Sequence, residues 1–215
     1  VFIYQKTSEH YKEKLAHANR VKSLINVKKA KDSFRSIDES IVKINTFLDK
    51  RGLADFQLKN AGGLQEDFEL TDINEISTYY EDKIKNLGII LMQTPIGYPA
   101  PGKISSTFGY RTNPFGGYST EYHAGIDFKG NKGDPVKSTA QGKVIFAGAK
   151  GGYGNCIIIE HKDKLKTLYG HLSKIKVLLN QEVVPGQIIG NIGSTGRSTG
   201  PHLHYEVHQN DTKIN

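Results

Sequence analysis

His202 and His204 stand one residue apart in GRSTGPHLHYEV, Gly196 to Val207. In a strand, residues i and i+2 share a face about 6.6 to 7 Å apart, so both imidazoles would project together while Leu203, Tyr205 and Val207 project the other way. Two imidazoles on one face can share a metal, or one can ligate while the other handles a proton, and both uses need further partners. On spacing alone, two surface histidines on an edge strand remain the alternative. HAGID supplies His123 and Asp127. A helix would align i and i+4, but Gly125 and the strand-like flanks argue for a loop running into a strand, so that pairing has to come from the tertiary fold. YGHLS places His171 at the end of a strand. Six of the eight histidines fall after residue 95, and four of them lie in these three motifs. With Asp127 they outline a two-His, one-Asp zinc site with two spare imidazoles.

The remaining polar residues have plainer readings. His161, in EHKDK, is expected to be solvated at a hairpin turn, and His10 and His17 to belong to a polar N-terminal helix. His208 is a minor candidate for touching substrate, and Glu206 shares the face of His202 and His204 with a structural hydrogen-bonding role. Tyr122 and Tyr169 line a groove or simply pack. Gly193, Gly196 and Gly200 permit tight turns. Cys156, the only cysteine, excludes an internal disulfide and a thiolate zinc cluster, and reads as a small buried apolar side chain.

The elements that must position these groups begin after a change of texture. Up to about residue 94 the chain reads as helix. Phe34, Ile37, Ile41, Ile44 and Leu48 form a heptad seam that stops at Arg51-Gly52, and Tyr11, Leu15, Ala18 and Leu24/Ile25 continue it less cleanly upstream. Asp72 with Glu75 resembles a capping box ahead of Ile73, Ile76, Tyr80, Ile84, Leu87 and Leu91. Gly62-Gly63 lies between the two stripes, so they should fold back as an antiparallel, coiled-coil-like helical hairpin over 1–94 that serves as a spacer or lies over the groove. PIGYPAPG, 95–102, reads as a proline-rich linker. From 103 to 215, KVIFAG, NCIIIEH, LKTLYGHL, QIIGNIG and HLHYEV read as short strands between glycine-rich turns, a small all-β domain without a long helix. The fold class is α+β in two parts.

Composition is that of an ordinary globular chain, 215 residues with 37% hydrophobic and 24% charged. No run approaches the roughly 18 apolar residues of a membrane helix. The chain starts at Val1 rather than methionine, which leaves room for a signal or membrane anchor upstream. The net charge of +7 is concentrated after residue 95: residues 96–215 hold 14 basic and 8 acidic groups, a balance of +6, against 15 and 14 before it. An anionic partner fits. The basic residues do not run together or interleave with aromatics, so nucleic acid is not expected.

HAGID, GDPV, GKV, YGNCIIIEH, TLYGHLS and PGQIIGNIGSTGRSTGPHLHYEV, in this order and at these spacings, resemble the lysostaphin/LytM family of zinc metallo-endopeptidases, which cleave peptide bridges of bacterial peptidoglycan. The likeness runs from about Ile104 to about Val207. It implies a β-sheet catalytic domain related to lipoyl-type hybrid barrels, with one zinc held by His123, Asp127 and His204 and with His171 and His202 as catalytic imidazoles. Arginine is frequent in the family where His208 stands. Three protein ligands leave a position open for water, the mark of a catalytic zinc, and no H-E-x-x-H glutamate is present to act as base. The resemblance further implies a substrate of peptidoglycan peptide stems, with the D-alanine to diaminopimelate crosslink preferred over glycine bridges. It implies a cell-envelope location, periplasmic and inner-membrane anchored, with homo- or hetero-oligomers through the helices. Two other classes compete. A LytM-type regulator that activates another hydrolase typically lacks some ligands, whereas all five positions are filled here. A lipoyl- or biotinyl-type carrier needs an acceptor lysine at a hairpin tip, and PGQIIGNIGSTG has none.

Overall fold

The computed structural model describes residues 2–49, 73–116 and 118–215, and the chain divides into two compact units, Val1–Leu87 and Gly88–Asn215. In the first unit, α1 is one continuous helix, Phe2–Asp49, and α2, Ile73–Gln93, begins there. The heptad seam explains their contact. Ile41 and Tyr80 are buried, Phe34, Ile37 and Tyr79 pack on Tyr80, and the Phe34 and Tyr80 rings stack with centroids 4.4 Å apart. Upstream, Tyr11, Leu15 and Leu24 are exposed, in keeping with a seam that weakens toward the N-terminus. The Gly62-Gly63 turn and Asp72 of the capping box lie outside the described residues. Helix α2 stops where Pro95 cannot continue it: the Thr94 amide and hydroxyl both donate to the Ile90 carbonyl.

The second unit is sheet. In chain order its strands are β1 (Ile104–Ser106), β2 (Gly109–Thr112), β3 (Thr120–His123), β4 (Ile126–Lys129), β5 (Pro135–Lys137), β6 (Gly142–Ala149), β7 (Asn155–Glu160), β8 (Leu165–Gly170), β9 (Lys174–Ile175), β10 (Glu182–Val183), β11 (Ile188–Asn191), β12 (His202–Gln209) and β13 (Thr212–Ile214). The main sheet runs β1-β4-β12-β8-β7-β6-β10 with β13 on β12. A second sheet is β5-β11-β9, and β2-β3 is a separate hairpin. All pairings are antiparallel, as the short, turn-punctuated strands require. The inward positions Phe128, Val144, Ile157, Ile159, Leu203 and Tyr205 share one core with Val136, Ile189 and Ile192 of the second sheet. Cys156 is buried, as its apolar setting suggests.

Segment 95–102 runs against this core. Ala100 is part of it, and the Lys137 amide donates to the Pro99 carbonyl at 2.7 Å. One sequence expectation fails here. His161 is not solvated but buried, because its ring turns inward just before the 162–164 turn; Nδ1 meets the Gln141 carbonyl and Nε2 the Thr167 hydroxyl, each at 2.8 Å. Burial pulls its pKa below the ordinary histidine value.

Candidate metal centre

Strand β12 runs between β4 and β8, and its register builds the site. His204 is paired with Asp127 on β4 and with Gly170 on β8, so His204 and Asp127 project to the same face. His202, two residues earlier, follows them. The chain leaves β8 at Gly170 and turns at His171, whose φ of 60° lies in the left-handed region. His123 closes β3 and must reach back over β12. That approach is possible only because residue 125 is glycine: a Cβ there would collide with the Tyr205 carbonyl oxygen and press on the His204 ring. Gly193 bridges to His202 and lies so close to the backbone of residues 171–173 that a side chain there would collide with it.

The three donor atoms converge. His123 Nε2 is 3.0 Å from Asp127 Oδ1, His204 Nδ1 is 2.9 Å from the same oxygen, and the two nitrogens are 3.1 Å apart. Their partners fix the protons. His123 Nδ1 lies 2.8 Å from the Thr107 carbonyl, which can only accept, so Nδ1 carries the hydrogen. His204 Nε2 lies 3.0 Å from Glu206, whose ionised carboxylate can only accept. Two imidazole lone pairs and a carboxylate oxygen therefore point at one another, an arrangement that calls for a cation among them. Tetrahedral zinc would set such donors about 3.3 Å apart, within a few tenths of an ångström of these separations. The residues fit the metal.

Two further rings face the same point. His171 and His202 stand with centroids 4.7 Å apart, and His202 Nε2 is 3.8 Å from Asp127 Oδ1. His171 Nδ1 donates to the Thr195 carbonyl and His202 Nδ1 to the Gly200 carbonyl, both at 2.8 Å, so each presents an unprotonated Nε2 to the groove when neutral. Burial, reinforced by the neighbouring imidazoles, pushes the His171 pKa down to about 4.

The outer contacts were only partly legible in the sequence. Arg111 donates to Asp127 Oδ2 at 2.9 Å, to Glu121 at 2.9 to 3.0 Å and to Ser106 at 2.7 Å, and Arg197 meets Glu121 from the other side at 2.9 Å while stacking on Phe115. Burial alone would raise the Asp127 and Glu121 carboxyls. The neighbouring His123 and His204 rings outweigh it at Asp127, the bonds from Arg111 and Arg197 at Glu121, and both carboxyls lie below the ordinary range. On the far side of His204, Glu206 is buried and accepts from His204, His208, Lys213 and Tyr153. These bonds, from His204 and His208 above all, overcome burial and keep it ionised. His208 is thus occupied by Glu206 at 2.6 Å. Tyr169 packs in the core with its hydroxyl on Thr139, and Tyr122 is half exposed beside His123.

All five sequence candidates, His123, Asp127, His171, His202 and His204, meet in one place. Arg111, Glu121 and Arg197 are the additions. The β2-β3 register pairs Arg111 with Glu121 across the hairpin.

An antiparallel sheet carrying two histidines and an aspartate whose donor atoms converge, flanked by two further imidazoles, makes a candidate metal centre. Residues 121–215 match Peptidase family M23, and the chain belongs to that LytM-type family. It is 47% identical over 113 residues to the DD-carboxypeptidase/endopeptidase Mpg of Neisseria meningitidis, covering 53% of this chain and 26% of that one. It is 40% identical over 126 residues to the murein hydrolase activator NlpD of Escherichia coli, covering 57% and 31%. The catalytic domain of lysostaphin from Staphylococcus simulans is 38% identical, with a TM-score of 0.48 over 53% of this chain and 88% of that one. The chain spans about a quarter to a third of the length of these curated relatives.

Proposed function

We propose that the protein is a zinc-dependent endopeptidase that hydrolyses peptide crosslinks of bacterial peptidoglycan, the D-alanine to diaminopimelate bond in particular, for wall remodelling or shape control. The observation that carries this reading is the convergence of three donor atoms, His123 Nε2, Asp127 Oδ1 and His204 Nδ1, beside two imidazoles whose Nδ1 atoms are bonded to backbone carbonyls. His123, Asp127 and His204 are the residues that would hold one zinc. When bound, the metal supplies a Lewis acid for the scissile carbonyl and acidifies an attacking water.

The chain's own residues do the rest. His171 enters the reaction neutral, because burial holds its pKa near 4, and its Nε2 can accept a proton from the attacking water. Once protonated, an imidazole at this position donates to the carbonyl oxygen as negative charge develops there, and then to the leaving amine. His202 stands opposite with the same polarity. Thr195 and Gly200, by accepting from Nδ1, keep both rings turned the right way. Arg111, held by Glu121, fixes the second oxygen of Asp127 so that Oδ1 stays aimed at the metal.

The likeness to NlpD favours a second reading, an activator of another wall hydrolase. The filled set of five residues argues for the peptidase. The test is digestion of purified muropeptide dimers by the zinc-loaded protein, with and without chelator, followed by mass analysis. Chelator-sensitive monomers support the peptidase; intact dimers, together with stimulation of an added amidase, establish the activator.

The rest of the reading concerns setting. The names of Mpg and NlpD support a cell-envelope location, which we take as periplasmic with an inner-membrane anchor upstream. No helix among the described residues is long and apolar enough to cross a membrane. The helices are read as an antiparallel hairpin spacer through which copies or partners associate, 95–102 as the connection to the 103–215 peptidase domain, and the sheet as kin to lipoyl-type hybrid barrels.

A further inference from the structure

Resting on the peptidase reading, we propose that Lys129 is a specificity residue that recognises a free carboxylate beside the scissile bond, so that the preferred substrate is a crosslink carrying such an acid and not a glycine bridge.

The argument starts from register. Lys129 is the direct partner of His202 across β4 and β12, so their Cβ atoms lie on one face about 5 Å apart. Both side chains line a cavity of about 500 Å³ that opens from His171 and His202 and is otherwise walled by Ser106, Arg197 and Thr199. Three cations border this cavity, and two are committed: Arg111 to Asp127 and Glu121, Arg197 to Glu121. Lys129 is exposed and has no carboxylate partner among the described residues. An unneutralised ammonium beside a catalytic imidazole, in a cavity whose one carboxylate, Asp127, faces the metal position, favours an anionic group on the bound peptide.

The chemistry of the two crosslinks then separates them. In a D-alanine to diaminopimelate bond, the carbon bearing the scissile nitrogen also bears a carboxylate, within reach of a lysine stem rooted next to His202. A glycine bridge offers no carboxylate at that distance. Lysine suits the task because its flexible stem follows a single point charge.

The test uses the full chain loaded with zinc and two muropeptide dimers, one with the diaminopimelate carboxylate free and one with it amidated. The wild-type protein should cleave the free acid with a kcat/KM about tenfold higher, the worth of one partly exposed charge-assisted hydrogen bond, mostly through KM. In Lys129→Ala the ratio between the two dimers should fall to near one, and Lys129→Arg should restore much of it. Equal cleavage of the two dimers by the wild type, or a Lys129→Ala defect of the same size on both, overturns the proposal. Should neither dimer be cut, the peptidase reading fails separately, and calorimetric binding of the same dimers to wild type and Lys129→Ala decides the carboxylate preference: a Lys129-dependent preference upholds it and equal affinities sink it.

Discussion

The sheet unit buries the His123, Asp127 and His204 cluster and the helical unit the Asp38 and Tyr80 pair, and the two are built on opposite terms. In the sheet, His123, Asp127 and His204 have every outward-facing polar atom taken, by Thr107, Arg111 and Glu206, and leave their inward atoms to one another. In the helical unit, Asp38 accepts from Tyr80 through Oδ2, while its buried Oδ1 has no partner among the described residues. A sheet surrounds a residue with neighbours fixed in register on both sides; two helices in contact offer a buried carboxylate only what one seam carries. The first cluster converges on a point that suits a cation, and the second on a single hydroxyl.

The largest effect should come from removing an inward donor. Alanine at His123, Asp127 or His204 leaves two ligands, which cannot hold zinc against competition. Zinc content, measured by mass spectrometry after dialysis, should fall from one per chain to near zero, and dimer cleavage should vanish with it. Retention of stoichiometric zinc by His204→Ala would break the assignment of the centre.

That set of donors was legible because each lies in a short motif whose local backbone is forced: a strand alternation at His202 and His204, a glycine that admits the crossing at HAGID, a strand end at His171. The convergence of the donors is itself tertiary, and so is what holds them. Arg111 of strand β2 and Arg197 of the loop before β12 come to one carboxylate, Glu121, and nothing in the spacing of 111, 121 and 197 announces it. His161 was misread for the same reason. The turn-like EHKDK describes the backbone correctly, but the ring's direction is set by Gln141 and Thr167 on neighbouring segments. In the helical unit the seam residues Phe34, Ile37 and Ile41 were readable from period alone, whereas Asp38 falls between them as a buried acid that no periodicity foresees.

Next in size is a separation within the sheet cluster. His171→Ala and His202→Ala should keep zinc and lose about 10² to 10⁴ in kcat, the usual worth of a positioned acid or base. Metal analysis and turnover on the same samples check it. An inverted pattern, with His202→Ala metal-free, would show that ligand and proton carrier had been exchanged.

The outer contacts should matter less. Glu206→Gln replaces an anionic acceptor of the His204 Nε2 hydrogen with a neutral amide, and should weaken zinc affinity by about 10- to 100-fold, as for partners of metal-ligating histidines generally. A competition titration against a chromogenic chelator reads this directly. Unchanged affinity would mean that Glu206 serves only the His208, Lys213 and Tyr153 side of its cluster.

The smallest effect belongs to the helical cluster, and pH exposes it. Burial, and then the hydrogen bond to Asp38 and its charge, raise the Tyr80 pKa well above the ordinary tyrosine value. The sign follows from the protonated form being the one the folded state prefers. The stabilisation is complete below about pH 10, where the unfolded chain's tyrosine is also protonated, and it is lost as pH rises beyond that toward the folded value. Helical signal from the first unit should therefore melt at lower temperature above about pH 10. Tyr80→Phe should cost about 1 to 3 kcal/mol at neutral pH, because it leaves the buried Asp38 carboxylate without its donor. The double variant Asp38→Leu, Tyr80→Phe should recover most of that loss, since an apolar pair of similar volume leaves no buried charge to satisfy. Thermal melts of the three proteins at pH 7 and pH 10.5 give the comparison. Equal melting of wild type and Tyr80→Phe at pH 7 would mean that the Asp38 carboxylate finds enough solvent to do without the hydroxyl, and the contrast between the two clusters would lose its energetic basis.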